Sequence, residues 1–122
     1  MAQISAIERI VLSGSTNGRG IKVTGTGTGS ADTIHTATSS SGLIDEVWLF
    51  AYNSDTSSRT LSLCLGGTTS PDDIVNIVLL PQQGDILVLA GECFNGGVIL
   101  KAYGSVANVL VVRGYVNRIT NS

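Results

Sequence analysis

Few residues in this chain could begin a reaction. His35 is the only histidine, so a Ser-His-Asp relay would have to run through it. Serines and aspartates are plentiful, but no G-x-S-x-G turn leads into a helix to present a nucleophile. Thr33-Ile34-His35-Thr36 reads instead as an edge strand, with His35 exposed or hydrogen-bonded to a neighbour. The nine acids include two adjacent pairs, Asp45-Glu46 and Asp72-Asp73. Neighbours in a strand point to opposite faces, so neither pair makes an acid/base couple by itself. Asp72 and Asp73 lie in a turn, where Asx hydrogen bonds are their ordinary use, and no EF-hand spacing surrounds them.

Gly25, Gly27 and Gly29 invite comparison with a phosphate-binding loop. That loop must feed a helix whose N-terminus holds the phosphates. Here Ser30 stands where a further glycine is needed, a strand-like stretch follows, and no P-loop lysine is present. Cys64 sits in a strand-like run, Leu61–Leu65, and Cys93 in an expected loop, Gly91–Gly97. Their spacing demands no disulfide, and two free thiols suit a protein made in a reducing cytosol. Two cysteines and one distant histidine are too few ligands for a metal. The expectation is no catalytic set, no cofactor and no metal.

The elements that must position these residues are short strands. Hydrophobic periodicity places them near Ile4–Leu12, Gly20–Thr24, Thr33–Thr38, Leu43–Asn53, Arg59–Leu65, Ile74–Leu80, Asp85–Ala90, Val98–Tyr103 and Asn108–Val116, each bounded by turn residues. Ser70-Pro71-Asp72-Asp73 has the look of a helix start, but β-branched residues and Pro81 follow, so only one helical turn is expected there. The whole of residues 1–122 reads as one antiparallel β-sandwich, jelly-roll-like, of eight or nine strands. Gly25–Gly42 is rich in glycine and hydroxyls, and it reads as a flexible loop able to order against a neighbour.

Val47-Trp-Leu-Phe-Ala-Tyr52 is apolar on both faces. Val47, Leu49 and Ala51 look one way, and Trp48, Phe50 and Tyr52 the other. Ile77–Leu80, Ile86–Ala90, Val98–Leu100 and Val109–Val112 repeat the pattern. Such strands are normally covered by helices, and no helix is evident here. The second face is therefore expected to meet another sheet, another subunit or a partner.

Charged residues are only 13% of the chain, about half the usual share, which suits close protein contact because few charges need desolvating. The seven basic residues form no run, so no nucleic-acid footprint is expected. No apolar run of spanning length exists and the first residues lack a basic n-region, so neither a membrane helix nor a secretory signal is expected.

Three stretches carry a resemblance. They are Val47–Asn53 with Asp55–Leu61, Gly66–Asp73 with Pro81–Gly84, and Lys101–Val109 with Gly114–Ile119. This succession resembles small β-sandwich virion proteins of tailed bacteriophages, of the capsid decoration (cement) type, over about two-thirds of the chain, Leu43 to Thr120. The resemblance implies a non-enzymatic homotrimer, made in the host cytoplasm, that sits on the outer capsid surface. There it would clamp neighbouring copies of the major capsid protein. The residues expected at subunit contacts are Trp48, Phe50, Tyr52, Val98, Leu100, Val109, Val111 and Tyr115. Docking is expected from an arm over residues 1–10, through Ala2, Gln3, Ile4, Ile7 and Ile10, and from Gly25–Gly42. A tail, baseplate or head–tail protein of the same fold is an alternative. A lectin-like module is another, with Tyr103 or Tyr115 as the exposed aromatic.

Overall fold

Leu43–Asn53 alternates as its sequence requires. In the computed structural model, which describes residues 4–121 and the side chains of residues 6–120, its odd-numbered positions from Asp45 to Asn53 are buried. The even positions Ile44, Glu46, Trp48, Phe50 and Tyr52 are half-buried. This strand, β4, is the fourth of nine. The others are β1 (Ile4–Val11), β2 (Ile21–Val23), β3 (Asp32–Thr36), β5 (Arg59–Leu65), β6 (Ile74–Leu79), β7 (Ile86–Phe94), β8 (Ile99–Gly104) and β9 (Leu110–Asn121).

The strands form two antiparallel sheets. One runs β1-β9-β4-β7, with β2 also paired to β9, and the other runs β3-β8-β5-β6. The pairs β1–β9, β3–β8, β4–β7 and β5–β6 are nested, first with last. A single long hairpin rolled on itself gives this pairing, the winding of a jelly roll. Between the sheets lies the core, with Leu49, Leu61, Leu63, Leu100, Leu110 and Val112 among its buried members. Each such side chain contributes about 1.5–3 kcal/mol on burial.

Along one flank a single edge is shared by two strands. β1 pairs with Tyr115–Asn121 and β2 with Leu110–Val112, both antiparallel, so β2 continues the line of β1 along β9. The intervening residues 12–20 leave the sheet and reach across to β3. Gly14 N–H donates to Ile34 O at 2.9 Å, and Thr36 N–H donates to Ser13 Oγ at 2.7 Å. Gly14 must be glycine, because a Cβ there would run into the carbonyls of Thr33 and Ile34.

Residues 4–11 form the strand their periodicity predicts, at the sheet edge with their backbone paired to β9. Other expectations need correction. Gly25–Gly42 is no loose loop: it holds a 3₁₀ turn at Thr28–Ser30 and the whole of β3. Asp32 fastens it, its carboxylate taking Thr24 N–H at 2.6 Å, Thr24 Oγ–H at 2.7 Å and Gly25 N–H at 3.1 Å. Burial alone would raise the Asp32 carboxyl, but these bonds bring it below its ordinary value. At Pro71–Asp73 the chain makes the one turn expected there, closed by Asp73 N–H to Thr69 O at 2.7 Å and by the Asp73 carboxylate on Thr69 N–H at 3.1 Å. Cys93 is not in a loop, because β7 continues through Gly91 to Phe94 by way of a bulge against β4.

Candidate functional site

The residues that could do chemistry meet inside the sandwich. Asp45 faces inward from the start of β4, Arg118 inward from β9, and His35 comes from β3 in the opposite sheet. Arg118 Nε donates to Asp45 Oδ1 at 2.7 Å and Arg118 Nη2 to Oδ2 at 2.9 Å, a bidentate fork. The same Oδ2 lies 2.8 Å from His35 Nε2 and accepts Thr38 N–H at 3.0 Å. His35 is 1% exposed and Asp45 0%, while the Arg118 side chain keeps 29% of its surface in solvent.

The second imidazole nitrogen fixes the tautomer. His35 Nδ1 accepts the Ser13 backbone N–H at 3.1 Å, so the ring proton sits on Nε2 and is given to Asp45. Ser13, His35 and Asp45 thus stand in the order of a hydrolase triad, but through the wrong atoms. The Ser13 hydroxyl accepts from Thr36 N–H and does not face the imidazole. What the arrangement does is join two sheets. Burial by itself would raise the Asp45 carboxyl, yet Arg118 first, then His35 and Thr38, bring it below its ordinary value. The charges of Asp45 and Arg118 cancel, and among the described residues no buried side-chain nitrogen or oxygen lacks a partner.

Asn53 closes the other end of β4 in a milder way. Its amide donates to Leu79 O at 3.0 Å, across to β6, and to Ser57 O at 2.9 Å, while its Oδ1 accepts Asp55 N–H at 2.9 Å. Five apolar and polar positions on one strand face therefore read polar, apolar, apolar, apolar, polar.

The outer face of the larger sheet gathers the aromatic stripe. Trp48 lies opposite Tyr115 in the β4–β9 register, with ring centroids 6.3 Å apart and planes 15° from parallel. Its indole rests on Gly91, whose φ of +71° and lack of a side chain make room for it. Arg9 covers the Tyr115 ring, its guanidinium 4.6 Å from the centroid. Glu46 Oε1 accepts Trp48 Nε1–H at 2.8 Å and Asn117 Nδ2–H at 3.0 Å, which holds its carboxyl below the ordinary value. Much of the second apolar face is thus covered by the chain's own side chains, with no helix needed.

Of the residues expected at subunit contacts, Trp48, Phe50, Tyr52, Val111 and Tyr115 share this outer face. Leu100 does not, since it points inward from β8 and is 1% exposed. Val98 and Val109 pack against the core and are only half-covered. Among the docking residues, Ala2 and Gln3 lie outside the described residues, as does the Ile4 side chain. Ile10 packs against the core, and Ile7 is exposed on the outer face.

Both cysteines are free. Cys93 lies opposite Glu46 at the surface, and burial first, then Glu46 and Glu92, push its thiol up, away from the reactive thiolate. Among the described residues no group of three histidine, cysteine or acidic side chains is placed to hold a metal. Cations dispersed in sequence do gather in one place. Arg19, Lys22 and Arg113 line an open groove of about 750 Å³ beside residues 14–20, with Arg113 tied to Asp85 at 3.0 Å.

The signal for the buried centre was present in the strand phase. Asp45 shares its phase with Val47 and Leu49, and Arg118 with Val112 and Val116. A charge on a core-facing phase needs a buried partner. No family model matches the chain, and no curated protein or solved structure matches it either.

Proposed function

We propose that this chain is a non-enzymatic structural protein of a virion, a capsid decoration protein that binds the outside of a shell alongside copies of itself. One observation carries the reading: the polar residues suited to chemistry are used up in joining the two sheets, while among the described residues eight large apolar side chains stand exposed. His35, Asp45 and Ser13 hold one another and face no cleft. Ile7, Val11, Val75, Val78, Leu80 and Leu87, in contrast, are exposed. The charge-poor sequence lowers the desolvation cost of docking such a surface. Jelly rolls recur in viral capsids, which supports the reading by fold analogy alone.

The test is quantitative mass spectrometry of purified particles. Hundreds of copies per particle are expected for a shell protein, and a few to a few dozen would move the chain to the tail or baseplate. Absence from particles overturns the virion reading.

One observation favours a lectin-like second reading. Trp48 and Tyr115 form a near-parallel pair with Arg9 over the Tyr115 ring and Glu46 and Asn117 beside Trp48, a flat indole next to hydrogen-bonding groups of the kind a pyranose stacks on. Saturable binding on a glycan array, lost in Trp48→Ala, is its expected result.

A further inference from the structure

Four strands or strand pairs bound the two sheets, and three of them are guarded. The β1/β2 edge is charged at Glu8, Arg9 and Lys22 and is interrupted by residues 12–20. The β3 edge has a register shift between Thr33 and His35, and Ser13 and Gly14 already occupy its main chain. The β7 edge has two register shifts against β4, the left-handed Gly91 and the charge of Glu92. These are the devices by which sheet proteins keep edges from pairing with other chains.

β6 has none of them. Its sequence Ile74-Val-Asn-Ile-Val-Leu79 contains no charge and no proline, and it pairs with β5 in unbroken register. Val78 is 65% exposed, Leu80 50% and Val75 44%. The phase of its main chain follows from one bond. Leu65 N–H donates to Asp73 O at 2.7 Å. In an antiparallel ladder, residues bonded toward one neighbour alternate with residues turned away. Val75, Ile77 and Leu79 therefore bond β5, and Ile74, Asn76 and Val78 turn their N–H and C=O groups outward, where no strand receives them.

The geometry points to a second copy of β6 as the occupant of this edge, paired antiparallel about a twofold axis at Asn76. That register sets Ile74 against the second copy's Val78 and Val75 against its Ile77, so each exposed valine gains an isoleucine opposite it, Val78 on one face and Val75 on the other. Asn76 Oδ1 accepts Ser62 Oγ–H at 2.6 Å, and its Nδ2 protons remain to reach the opposing Asn76 amide. Charge selects the direction. Asp72 and Asp73 precede the strand and no charge follows it before Asp85. Antiparallel pairing lays each acidic end beside a neutral one, whereas parallel pairing would align the acids. A contact of this length buries less than about 1,000 Å², the range of a weak interface. It becomes effective where many copies are held side by side.

This pairing rests on the self-association in the proposed function and names its surface. Sedimentation velocity over a concentration series tests it, together with amide hydrogen exchange. Wild type is expected to dimerise, with the Asn76 and Val78 amides slowing as concentration rises. Val78→Lys, and independently Val78→Pro, which removes an outward N–H and no hydrogen bond to β5, are expected to weaken the dimer by at least about tenfold. Phe50→Lys, on the outer aromatic face, is expected to leave it unchanged. A dimer that ignores both Val78 variants but dissociates with Phe50→Lys overturns the edge pairing and keeps self-association. A wild type that stays monomeric throughout overturns the edge pairing, while the particle copy number still decides the virion reading.

Discussion

The two flanks of the sandwich are finished differently. On the β1–β3 flank the chain crosses between sheets at residues 12–20, and His35, Asp45 and Arg118 tie the interior together just behind. On the β6–β7 flank one amide, Asn53, reaches across to Leu79, and Val75, Val78, Leu80, Ile86 and Leu87 stand exposed. Backbone donors and acceptors at an edge must be paired, wetted or taken by another chain. On the first flank Ser13 and Gly14 take up part of the β3 edge within the molecule, and on the second the β6 edge leaves its outward groups to solvent or to a partner. Stability is therefore expected to concentrate at one side and association at the other.

The largest effect should come from breaking the closed flank. Asp45→Asn leaves the Arg118 charge without its counter-ion and is expected to cost about 3 kcal/mol, the lower end for a broken buried pair because Arg118 is partly wet. Urea unfolding monitored by circular dichroism reads this as a lower midpoint at unchanged slope. Gly14→Ala attacks the same flank through the backbone and should cost about 1–3 kcal/mol in the same assay, as the crossing segment is forced off β3.

Acid sharpens the contrast. The folded Asp45 carboxyl lies below its ordinary value, so the unfolded chain binds the proton more readily. The stability contributed by this group is complete above about pH 4 and is lost as pH falls through the lowered folded value. Unfolding free energy measured from pH 6 downward should fall more steeply for wild type than for Asp45→Asn. Equal slopes would remove Asp45 from the closed flank's energetics.

The open flank should be cheaper to disturb. Asn53→Ala removes one cross-sheet hydrogen bond and orphans the groups it served, at an expected cost of about 1–3 kcal/mol. Val78→Lys should shift monomer stability by no more than about 0.5 kcal/mol, since its side chain is already in solvent. A loss as large as that of Asp45→Asn would erase the distinction between the flanks.

How much of this was legible depended on the kind of signal. β4 and β5 run between the residues their periodicity predicts, because alternation and flanking turn residues act locally. The nested pairing of strands was not readable in that way, since it is a matter of which distant segments meet. The composition of Gly25–Gly42 predicts a flexible loop, but one carboxylate, Asp32, organises the residues around it. Periodicity predicts a strand ending at Ala90 and a loop from Gly91, whereas the strand runs on and the positive φ of Gly91 makes a bulge on which Trp48 rests. Asp45 and Arg118 were visible as charges but not as a pair, because they are 73 positions apart and only the β4–β9 register brings them together.

Trp48 is the sole tryptophan, and it lies on the glycine bulge of β7 with its nitrogen on Glu46. Its fluorescence is therefore a built-in probe of one surface. Emission wavelength and quenching by acrylamide will respond when something covers the aromatic platform or when the bulge beneath it loosens. Events along β6, on the other sheet, should leave the emission dark to them, so a single optical channel can tell the two surfaces apart without a label.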